Sequence, residues 1–419
     1  MKASSGRWVS SRLSHIGGTR SVRTGSIIAI AGVACAVAVM LLTLGIALGF
    51  KHDIKAKLSG FESQIDITPA YSYMTGRTDS TITLDASLHR TIDSIMPLST
   101  TTLAFRQPAI LKPANDFSAI VIYGYDDAHN PAFEKKNIIK GTMPDYAKDQ
   151  TSDNRIVISS YTASRLRLDV GDKITACFFI NDGIKARPMI VAAIYNSGFG
   201  EYDHTVAYGS LRMLQQLNKV GKSTGNIIEI NGLPQDDVSA KAQVLQQALI
   251  DRAQQHGLPE VPIVDNITHT GAIYLNWLDL LDTNVIVIFV LMCCVGCLTL
   301  ISSLFIIILD KIQAIGILRS IGATRGYVNA IFVRICMRLV GWGILIGNVI
   351  GIGFGFIQER WHPIGLDPEM YYLDKVPYTF DWIGILLINV GVAVLAWCVL
   401  ILPAKAAGRV SPARTLRYE

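Results

Sequence analysis

Histidines and cysteines are the usual ligands of zinc and frequent catalytic groups, and the chain contains eight histidines and seven cysteines. The histidines are scattered, without an HExxH motif and without cysteines at ligand spacing. The adjacent acids Asp126 and Asp127 are typical of a solvated surface rather than of an acid–base pair. We therefore expect the chain to be no enzyme, with no catalytic residue and no metal ion of its own.

Three cysteines lie close together, at Cys293, Cys294 and Cys297. A CxxC sequence can form a redox or metal site, but here valine, leucine and isoleucine flank it and no histidine or carboxylate is near. We interpret the cluster as small packing residues of a membrane helix. Among the other cysteines, only Cys177 lies in a water-exposed type of segment, so we expect no disulfide framework.

Two short motifs look like nucleotide-binding sequences. Gly221-Lys-Ser-Thr224 matches the end of a phosphate-binding loop, but Gln216 occupies the position where that motif requires glycine. The alternating glycines of 351–355 lie inside an uncharged run and lack the preceding strand of a dinucleotide fingerprint. We expect this chain to bind no cofactor.

The composition indicates an integral membrane protein. Half of the residues are hydrophobic, 17% are charged and the mean hydropathy is +0.35, and the charges leave long runs without any. We predict four transmembrane helices, at 26–50, 283–309, 328–357 and 382–403. A cleaved signal peptide is the alternative for the first run, but the run is too long and lacks a small-x-small site.

Lysines and arginines indicate the orientation of these spans. They are frequent in the tail 1–25, in the loop 310–327 and in the tail 404–419, which we place in the cytoplasm. The loop 358–381 is mostly acidic, so we place it outside. The net charge of +5 thus indicates membrane topology rather than nucleic-acid binding.

The segment 51–282 must then also lie outside, and its pattern predicts an α+β domain of one or two lobes. Predicted strands are 64–69, 119–125, 155–159, 173–179, 187–195 and 226–230; predicted helices are 85–95, 162–167, 210–218 and 236–256. Before the second span, 266–282 is amphipathic, and we expect it to continue into that span as one long helix. Its apolar side would carry Ile273, Trp277, Leu280 and Leu281.

Two further patterns concern contacts between helices and with partners. Glycines recur every fourth residue in the third span, which lets another helix approach closely; they are Gly343, Gly347, Gly351 and Gly355, with a shorter series at Gly45 and Gly49 in the first span. In the loop 310–327, apolar residues at helical spacing predict a short amphipathic helix ending at Gly322. Such a helix either lies on the bilayer or docks into a partner protein.

The sequence Ile315-Gly-Ile-Leu-Arg-Ser-Ile-Gly-Ala323 resembles the signature of the FtsX/MacB superfamily of ABC permeases, the type VII class. Four further features resemble its lipoprotein-releasing LolC/LolE-type branch. They are Leu48-Gly-Phe-Lys51 with Lys57-Leu-Ser-Gly-Phe61; Gly141-Thr-Met-Pro144 with Leu168-Asp-Val-Gly-Asp172; Ala192-Ala-Ile-Tyr195 through Glu201-Tyr-Asp203; and the terminal Pro412-Ala-Arg-Thr-Leu-Arg-Tyr-Glu419.

The resemblance implies a multi-pass permease subunit in a bacterial inner membrane, with a MacB-like periplasmic domain between the first two helices. It implies a second permease subunit, in a homodimer or a heterodimer, and a separate LolD-like ATPase that binds ATP and Mg²⁺. It also implies lipoprotein substrates that are extracted from the bilayer and passed to a LolA-like periplasmic carrier. Whether the chain is LolC-like, LolE-like or one permease with both roles stays open.

Site residues follow from the same resemblance. The helix that couples to the ATPase would contain Lys311, Ile315, Leu318, Arg319, Ile321 and Gly322. A lipid cavity between subunits would be lined by Leu44, Leu48, Phe50, Trp277 and Leu281. A hairpin that contacts the carrier would be the turn between Phe178 and Pro188, with Ile180, Asn181, Asp182 and Gly183.

Three alternatives remain. An FtsX-type regulator of a cell-wall hydrolase usually has a much smaller outer domain, and a MacB-like efflux component usually carries a fused ATPase domain, for which the tail 1–25 is too short. A membrane-anchored enzyme would need a concentrated catalytic constellation.

Overall fold

The computed structural model describes residues 20–407, except 79, 114–115, 147, 181–182, 311–316 and 319. The chain divides into two compact units. The first, here called the membrane unit, holds the chain up to Lys51, Leu278–Gly365 and the chain from Lys375. The second, the outer unit, holds His52–Trp277 and Leu366–Asp374.

The elements follow in chain order. The helices are α1 (Arg20–Phe61), α2 (Ala70–Thr75), α3 (Ala86–Ile95), α4 (Ala132–Asn137), α5 (Ser160–Leu166), α6 (Gly200–Thr205), α7 (Leu211–Asn218), α8 (Val238–His256), α9 (Ile267–Thr270), α10 (Ala272–Asp310), α11 (Arg325–Trp361), α12 (Pro368–Tyr371) and α13 (Trp382–Ala407). The strands are β1 (Ile65–Thr68), β2 (Ile82–Thr83), β3 (Thr100–Lys112), β4 (Ser118–Tyr125), β5 (Ile138–Gly141), β6 (Arg155–Ser159), β7 (Lys173–Ile180), β8 (Gly183–Tyr195), β9 (Val206–Tyr208), β10 (Thr224–Gly225), β11 (Ile227–Asn231) and β12 (Ile263–Asn266).

Within the described residues, four helices are long and apolar enough to cross a membrane: Gly25–Phe61, Ala272–Leu309, Gly326–Trp361 and Trp382–Leu400. The first two are longer than the predicted spans because nothing breaks the helix where charged residues begin. Past Phe50 the sequence contains good helix formers, and Ile54 and Leu58 are buried at helical spacing. Each of α1 and α10 is therefore one continuous helix.

A hydrophobic core joins the four long helices inside the membrane unit. Val37 and Leu41 of α1 belong to one buried cluster with Leu304 of α10, Phe332 of α11 and Ile388 of α13. Two amide side chains lie among these apolar helices, because Asn348 of α11 and Asn389 of α13 donate a hydrogen bond to each other, at 2.8 and 3.0 Å.

The outer unit is built on a ten-stranded sheet in the order β12-β1-β11-β3-β4-β9-β6-β8-β5. Strand β7 pairs with both β3 and β8, so the pairings β3–β4–β9–β6–β8–β7 return to β3 and close a circuit. The six predicted strands are all present, within a few residues of the predicted bounds, except that β8 begins earlier, at Gly183. The α+β prediction thus agrees with the observed fold.

Two hydrophobic cores lie on this one sheet, which explains the expectation of two lobes. One packs β3, β4, β6, β7 and β8 with α5 and α7, and includes Phe105, Phe178 and Leu214. The other packs β1, β11 and the start of β3 with α3 and α8, and includes Ile92 and Leu245.

Several parts of the outer unit were not predicted, among them the strands β2, β5, β9, β10 and β12, the helices α2, α4 and α6, strand β3 and the segment Leu366–Asp374. The thirteen-residue strand β3 pairs with β11, β4 and β7, yet Arg106, Gln107 and Pro108 interrupt its apolar pattern. The residues Leu366–Asp374, predicted as part of a loop between spans, cluster with the outer unit. The outer unit is therefore not one continuous segment 51–282.

Candidate functional site

The segment predicted to couple to an ATPase is described in part. Lys311, Ile315 and Arg319 lie outside the described residues. The helical turn around Leu318 ends where Ala323 N–H donates to the Leu318 carbonyl, and Gly322 adopts a positive φ of 98°, which favours glycine. Ile317 and Ile321 are exposed, Ile321 by 80%. Two large apolar side chains are thus exposed in the described part of the chain.

The glycine series of α11 faces α1. A Cβ built on Gly343 would lie 2.7 Å from Val33, and one on Gly347 would lie 2.8 Å from Val37. A Cβ on Gly351 would lie 3.1 Å from Leu41. These glycines therefore permit the close approach of α11 to α1.

The last glycine of that series has a different neighbour. A Cβ on Gly355 would overlap the ring of Tyr378, and so would a Cβ on Gly45 of α1. Tyr378 belongs to the segment between α11 and α13, and the next residue, Thr379, donates its backbone N–H to the Gly45 carbonyl at 3.0 Å. Gly49 is covered by Pro377. The shorter glycine series of α1 thus accepts a segment without regular secondary structure, not a helix.

The five predicted cavity residues fall in different units. Leu44, Leu48 and Leu281 of the membrane unit are half-buried, while Phe50 is buried. Trp277 of the outer unit packs its ring against Tyr372 of the same chain, with the ring centroids 6.1 Å apart. Ile273 and Leu280 on α10 are largely exposed, and the buried side of this helix is instead formed by Tyr274 and Leu278.

The observed turn of the hairpin is shorter than the segment 178–188 that was predicted to contact the carrier. Ile180 and Gly183 are paired at the end of a β7–β8 hairpin, and Asn181 and Asp182 lie outside the described residues. Pro188 pairs with Thr175 inside strand β8 and so is not part of the turn, because the ladder continues to the tip. Beside the turn, Phe179 and Ile184 are paired and exposed by 51% and 68%.

A buried charge cluster, which sequence reasoning missed, lies after the outer end of α1. The Arg106 guanidinium donates to Glu62 at 2.9 Å and to Glu229 at 2.8 Å. Burial raises the pKa of Asp66 to about 7, although Arg106 acts to lower it. Burial also raises the pKa of Glu229, again against the effect of Arg106. The single arginine thus has to satisfy several buried carboxyl groups.

Aromatic rings gather beside this cluster, around α6. They are Phe61, Phe199, Tyr202, Tyr274 and Tyr372, with neighbouring centroids 4.5 to 6.3 Å apart. The Glu201-Tyr202-Asp203 sequence was a signal for this site, but it was used only for the family resemblance. Nothing in the sequence connects Tyr372 to this site, because Tyr372 lies far along the chain from the Glu201-Tyr202-Asp203 sequence.

The structure gives the surroundings of the cysteines and of one further motif. All seven cysteines are free thiols, and no group of three or more metal-ligating side chains occurs in the part of the chain that the structure describes. The sequence Gly221-Lys-Ser-Thr-Gly225 also has the GxSxG spacing of a hydrolase nucleophile. It follows α7 and leads into β10, whereas a nucleophile elbow leads from a strand into a helix.

Comparison with known proteins identifies the class. A family described as MacB-like periplasmic core domain matches residues 26–254, and one described as FtsX-like permease C-terminal matches residues 284–412. The first match alone covers more than half of the chain. These matches define a multi-pass inner-membrane permease with a MacB-like periplasmic domain.

Two curated relatives narrow the class. The chain is 22% identical over 401 residues to the lipoprotein-releasing system transmembrane protein LolE of Haemophilus influenzae, covering 92% of each protein. It is 22% identical over 417 residues to LolC of Neisseria meningitidis serogroup B, covering 94% of each. The periplasmic region of MacB from Actinobacillus actinomycetemcomitans is 15% identical, with a TM-score of 0.34, over 51% of this chain and 92% of that one. The chain belongs to the LolC/LolE-type permeases of the type VII ABC superfamily.

Proposed function

We propose that this chain is the permease subunit of a transporter that extracts lipoproteins from the inner membrane and passes them to a periplasmic carrier. The observation that carries the proposal is the match to lipoprotein-releasing permeases over more than nine-tenths of the chain. A match of that length must span residues of both units. A regulator of a cell-wall hydrolase and an efflux component are less well supported, because the curated relatives are named for lipoprotein release.

The transport step needs an energy source. Each buried CH₂ of an acyl chain contributes about 0.8 kcal/mol of membrane affinity, so a multiply acylated protein leaves the bilayer slowly by itself. ATP hydrolysis in a separate, LolD-like subunit would supply the energy, with ATP and Mg²⁺ bound there. The exposed apolar residues Ile317 and Ile321, together with Leu318, fit a short helix that docks into such a subunit.

The proposed topology has four spans, α1, α10, α11 and α13, with both termini in the cytoplasm and the outer unit in the periplasm. Helices α1 and α10 support it, because each contains an apolar span and also continues into residues of the outer unit. A cysteine introduced at Asp145 should then react with an impermeant reagent added from the periplasmic side, in a Cys177→Ser background. Reaction only after the cytoplasm is opened would overturn this topology.

We further propose that two permease subunits pair and receive the acyl chains between them. The exposed apolar residues of α10, among them Ile273, Leu280 and Ile286, support a lipid-facing or subunit-facing role for this helix. Leu44, Leu48, Phe50, Trp277 and Leu281 remain the proposed cavity residues. The carrier, which is LolA-like, would dock at the β7–β8 hairpin.

The experiment that tests the function is depletion of this protein in its native host, followed by separation of the two membranes and quantification of lipoproteins in each. Outer-membrane lipoproteins should accumulate in the inner membrane. Expression of the wild-type chain should restore sorting, whereas the Leu318→Asp variant should not. Normal sorting in depleted cells, with a defect in division or cell-wall hydrolysis, would favour the regulator instead.

A further inference from the structure

The outer unit contains a joint at which three separate parts of the chain meet one short helix. The chain passes between the two units along α1, along α10 and through the Leu366–Asp374 segment. Side chains from all three contact α6 or the residues just before it. This convergence uses residues of the outer unit alone.

The contact from α1 is both aromatic and polar. Phe61, the last residue of α1, stacks on Tyr202 of α6 with ring centroids 4.5 Å apart. One turn earlier, Lys57 donates to the Gly198 carbonyl at 2.7 Å. Gly198 has a positive φ of 63°, and a Cβ there would lie 2.9 Å from the Lys57 Nζ atom. The approach of α1 to this segment is therefore closely fitted.

The contact from α10 is made by Tyr274. Its hydroxyl donates to the Glu201 carboxylate, and its ring lies 5.0 Å from the ring of Phe199. Tyr274 is buried although it lies only two residues inside the start of α10. The outer end of this helix is thus fixed by one side chain to the first turn of α6.

The contact from the third segment is made by Tyr372. Its ring is edge-on to Phe199 at 5.7 Å and to Tyr274 at 5.3 Å. Its backbone has a φ of 59°, in the left-handed region that aromatic residues rarely adopt. Such strain persists only where surrounding contacts over-determine it, and it clusters at functional sites. The neighbouring Tyr371 is exposed and makes none of these ring contacts.

Helix α6 is placed to pass a displacement into the sheet. It connects β8 directly to β9, and both are strands of the closed circuit. Asp203 of α6 is buried and accepts a hydrogen bond from the Ser197 hydroxyl at 2.7 Å. Tyr202 donates to Glu62 at 2.9 Å, and Glu62 in turn is held by Arg106 of β3. A shift of α6 would therefore act on three strands.

We propose that Tyr372 is a positioning residue that locks the Leu366–Asp374 segment to α1 and α10 through Phe199, so that the three segments move α6 as one body during each transport cycle. This inference rests on the proposed function. It assigns to Tyr372 a role in coupling ATP hydrolysis to lipoprotein release, without contact to ATP or to the lipoprotein. Loss of the ring should leave each helix able to move while the movement reaches the sheet less completely.

The test uses the complete transporter in proteoliposomes, with ATP hydrolysis and release of an acylated lipoprotein to a soluble carrier measured on the same sample. Tyr372→Ala should keep ATP hydrolysis near the wild-type rate and raise the ATP consumed per lipoprotein released by about fivefold. Tyr372→Phe keeps the ring and should restore the wild-type ratio. Tyr371→Ala is the matched control and should not change it.

The outcomes separate this inference from the proposed function. Release by the wild-type transporter tests the function, and its failure would overturn that proposal before any variant is compared. If the wild-type protein releases lipoprotein and Tyr372→Ala consumes the same amount of ATP per lipoprotein released, the proposed positioning role of Tyr372 is wrong. A general loss of folding would lower ATP hydrolysis and lipoprotein release together. A purely structural role would therefore not produce the expected result, in which ATP hydrolysis is unchanged and Tyr372→Phe restores the wild-type ratio.

Discussion

The ring of Tyr378 lies between Gly45 of α1 and Gly355 of α11, where neither helix has room for a side chain. The Tyr378 hydroxyl lies 3.5 Å from the Leu41 carbonyl, and Thr379 donates its backbone N–H to the carbonyl of Gly45. The segment that precedes α13 is therefore held on the first and third apolar helices. Glycine is required at 45 and 355 because the ring occupies the space of a Cβ.

Gly355→Ala should destabilise the membrane unit although alanine is the better helix former. The methyl group overlaps the Tyr378 ring, and such overpacking costs about 1–3 kcal/mol, against a gain in helix propensity of about 1 kcal/mol. Thermal unfolding in detergent should show a lower midpoint than for Gly353→Ala, because among the described residues no atom outside its own helical turn lies within 4 Å of a Cβ at Gly353. Equal midpoints for the two variants would contradict this packing.

The Asn348–Asn389 pair should stabilise the contact of α11 with α13. Hydrogen bonds between apolar membrane helices are worth about 0.6–2 kcal/mol. Asn348→Leu leaves Asn389 without its partner amide, so this variant should unfold at lower temperature than the double variant with Asn389→Leu, which leaves no unpaired amide. Additive effects of the two substitutions would show that the amides do not interact.

The charge cluster should make the outer unit respond to pH. The pKa of Asp66 is about 7 in the folded chain and about 4 in an unfolded one. Asp66 therefore binds a proton on folding between these values, and its contribution to stability is present near pH 4 and lost as the pH rises through 7. The size of this effect is on the order of a few kcal/mol.

The contribution of Asp66 to stability is measured by hydrogen exchange of the β1 and β11 amides in the full chain. Protection factors, corrected for the intrinsic pH dependence, should fall from pH 5 to pH 7.5 in the wild type and less steeply in Asp66→Asn. Asp169→Asn is the control and should leave the slope over this window unchanged, because a backbone hydrogen bond and Lys140 lower the pKa of Asp169, so that this group stays ionised throughout the window. A wild-type slope that is unchanged in Asp66→Asn would refute this assignment.

Substitution in the proposed coupling helix should separate membrane insertion from ATPase binding. Ile321→Asp places a charge on an exposed apolar position, and we expect association with the ATPase to fall by at least about tenfold, as for a central interface residue. Ser320→Asp adds the same charge one residue earlier and should bind nearly normally. Co-purification of the ATPase after expression to equal membrane levels is the measurement, and full retention by Ile321→Asp would exclude a contact there.

The tip of the β7–β8 hairpin should bind the carrier. Phe179 and Ile184 are an exposed apolar pair, and Ile184→Asp should weaken carrier binding by about tenfold if the pair is buried on docking. Leu98→Asp alters another exposed apolar side chain of the outer unit and should leave binding unchanged. The measurement is the affinity for the carrier, determined by biolayer interferometry on the detergent-solubilised chain. Equal effects of both substitutions would show that the hairpin does not contact the carrier.

Periodicity was sufficient for much of the fold. Uncharged runs predicted the four apolar helices, and β-branched runs such as 155–159 predicted strands with nearly correct bounds. Strand β3 was missed because polar residues interrupt its apolar pattern. Arg106 is one of them, and it binds buried carboxylates instead of facing solvent. The glycines of α11 predicted close packing, but only three dimensions show that the partner at Gly355 is Tyr378.

Sites that are assembled from distant residues could not be predicted from the sequence. The joint at α6 brings together Phe61, Tyr274 and Tyr372, which lie far apart along the chain, and no periodic pattern marks them. The hairpin was located, but its exposed pair was not, since alternation alone does not say which face of β7 is covered. The family resemblance supplied function, whereas the geometry supplied the residues through which movement passes.

The proposed function requires that this chain release lipoproteins from a bilayer at the expense of ATP. The most direct measurement reconstitutes the permease and its ATPase in liposomes that contain a labelled acylated lipoprotein, and follows the label into the soluble fraction with the carrier present. We predict release that requires hydrolysable ATP and the carrier, and that is lost in Leu318→Asp. Active ATP hydrolysis with the lipoprotein retained in the liposomes would show that this chain is not a lipoprotein-releasing permease.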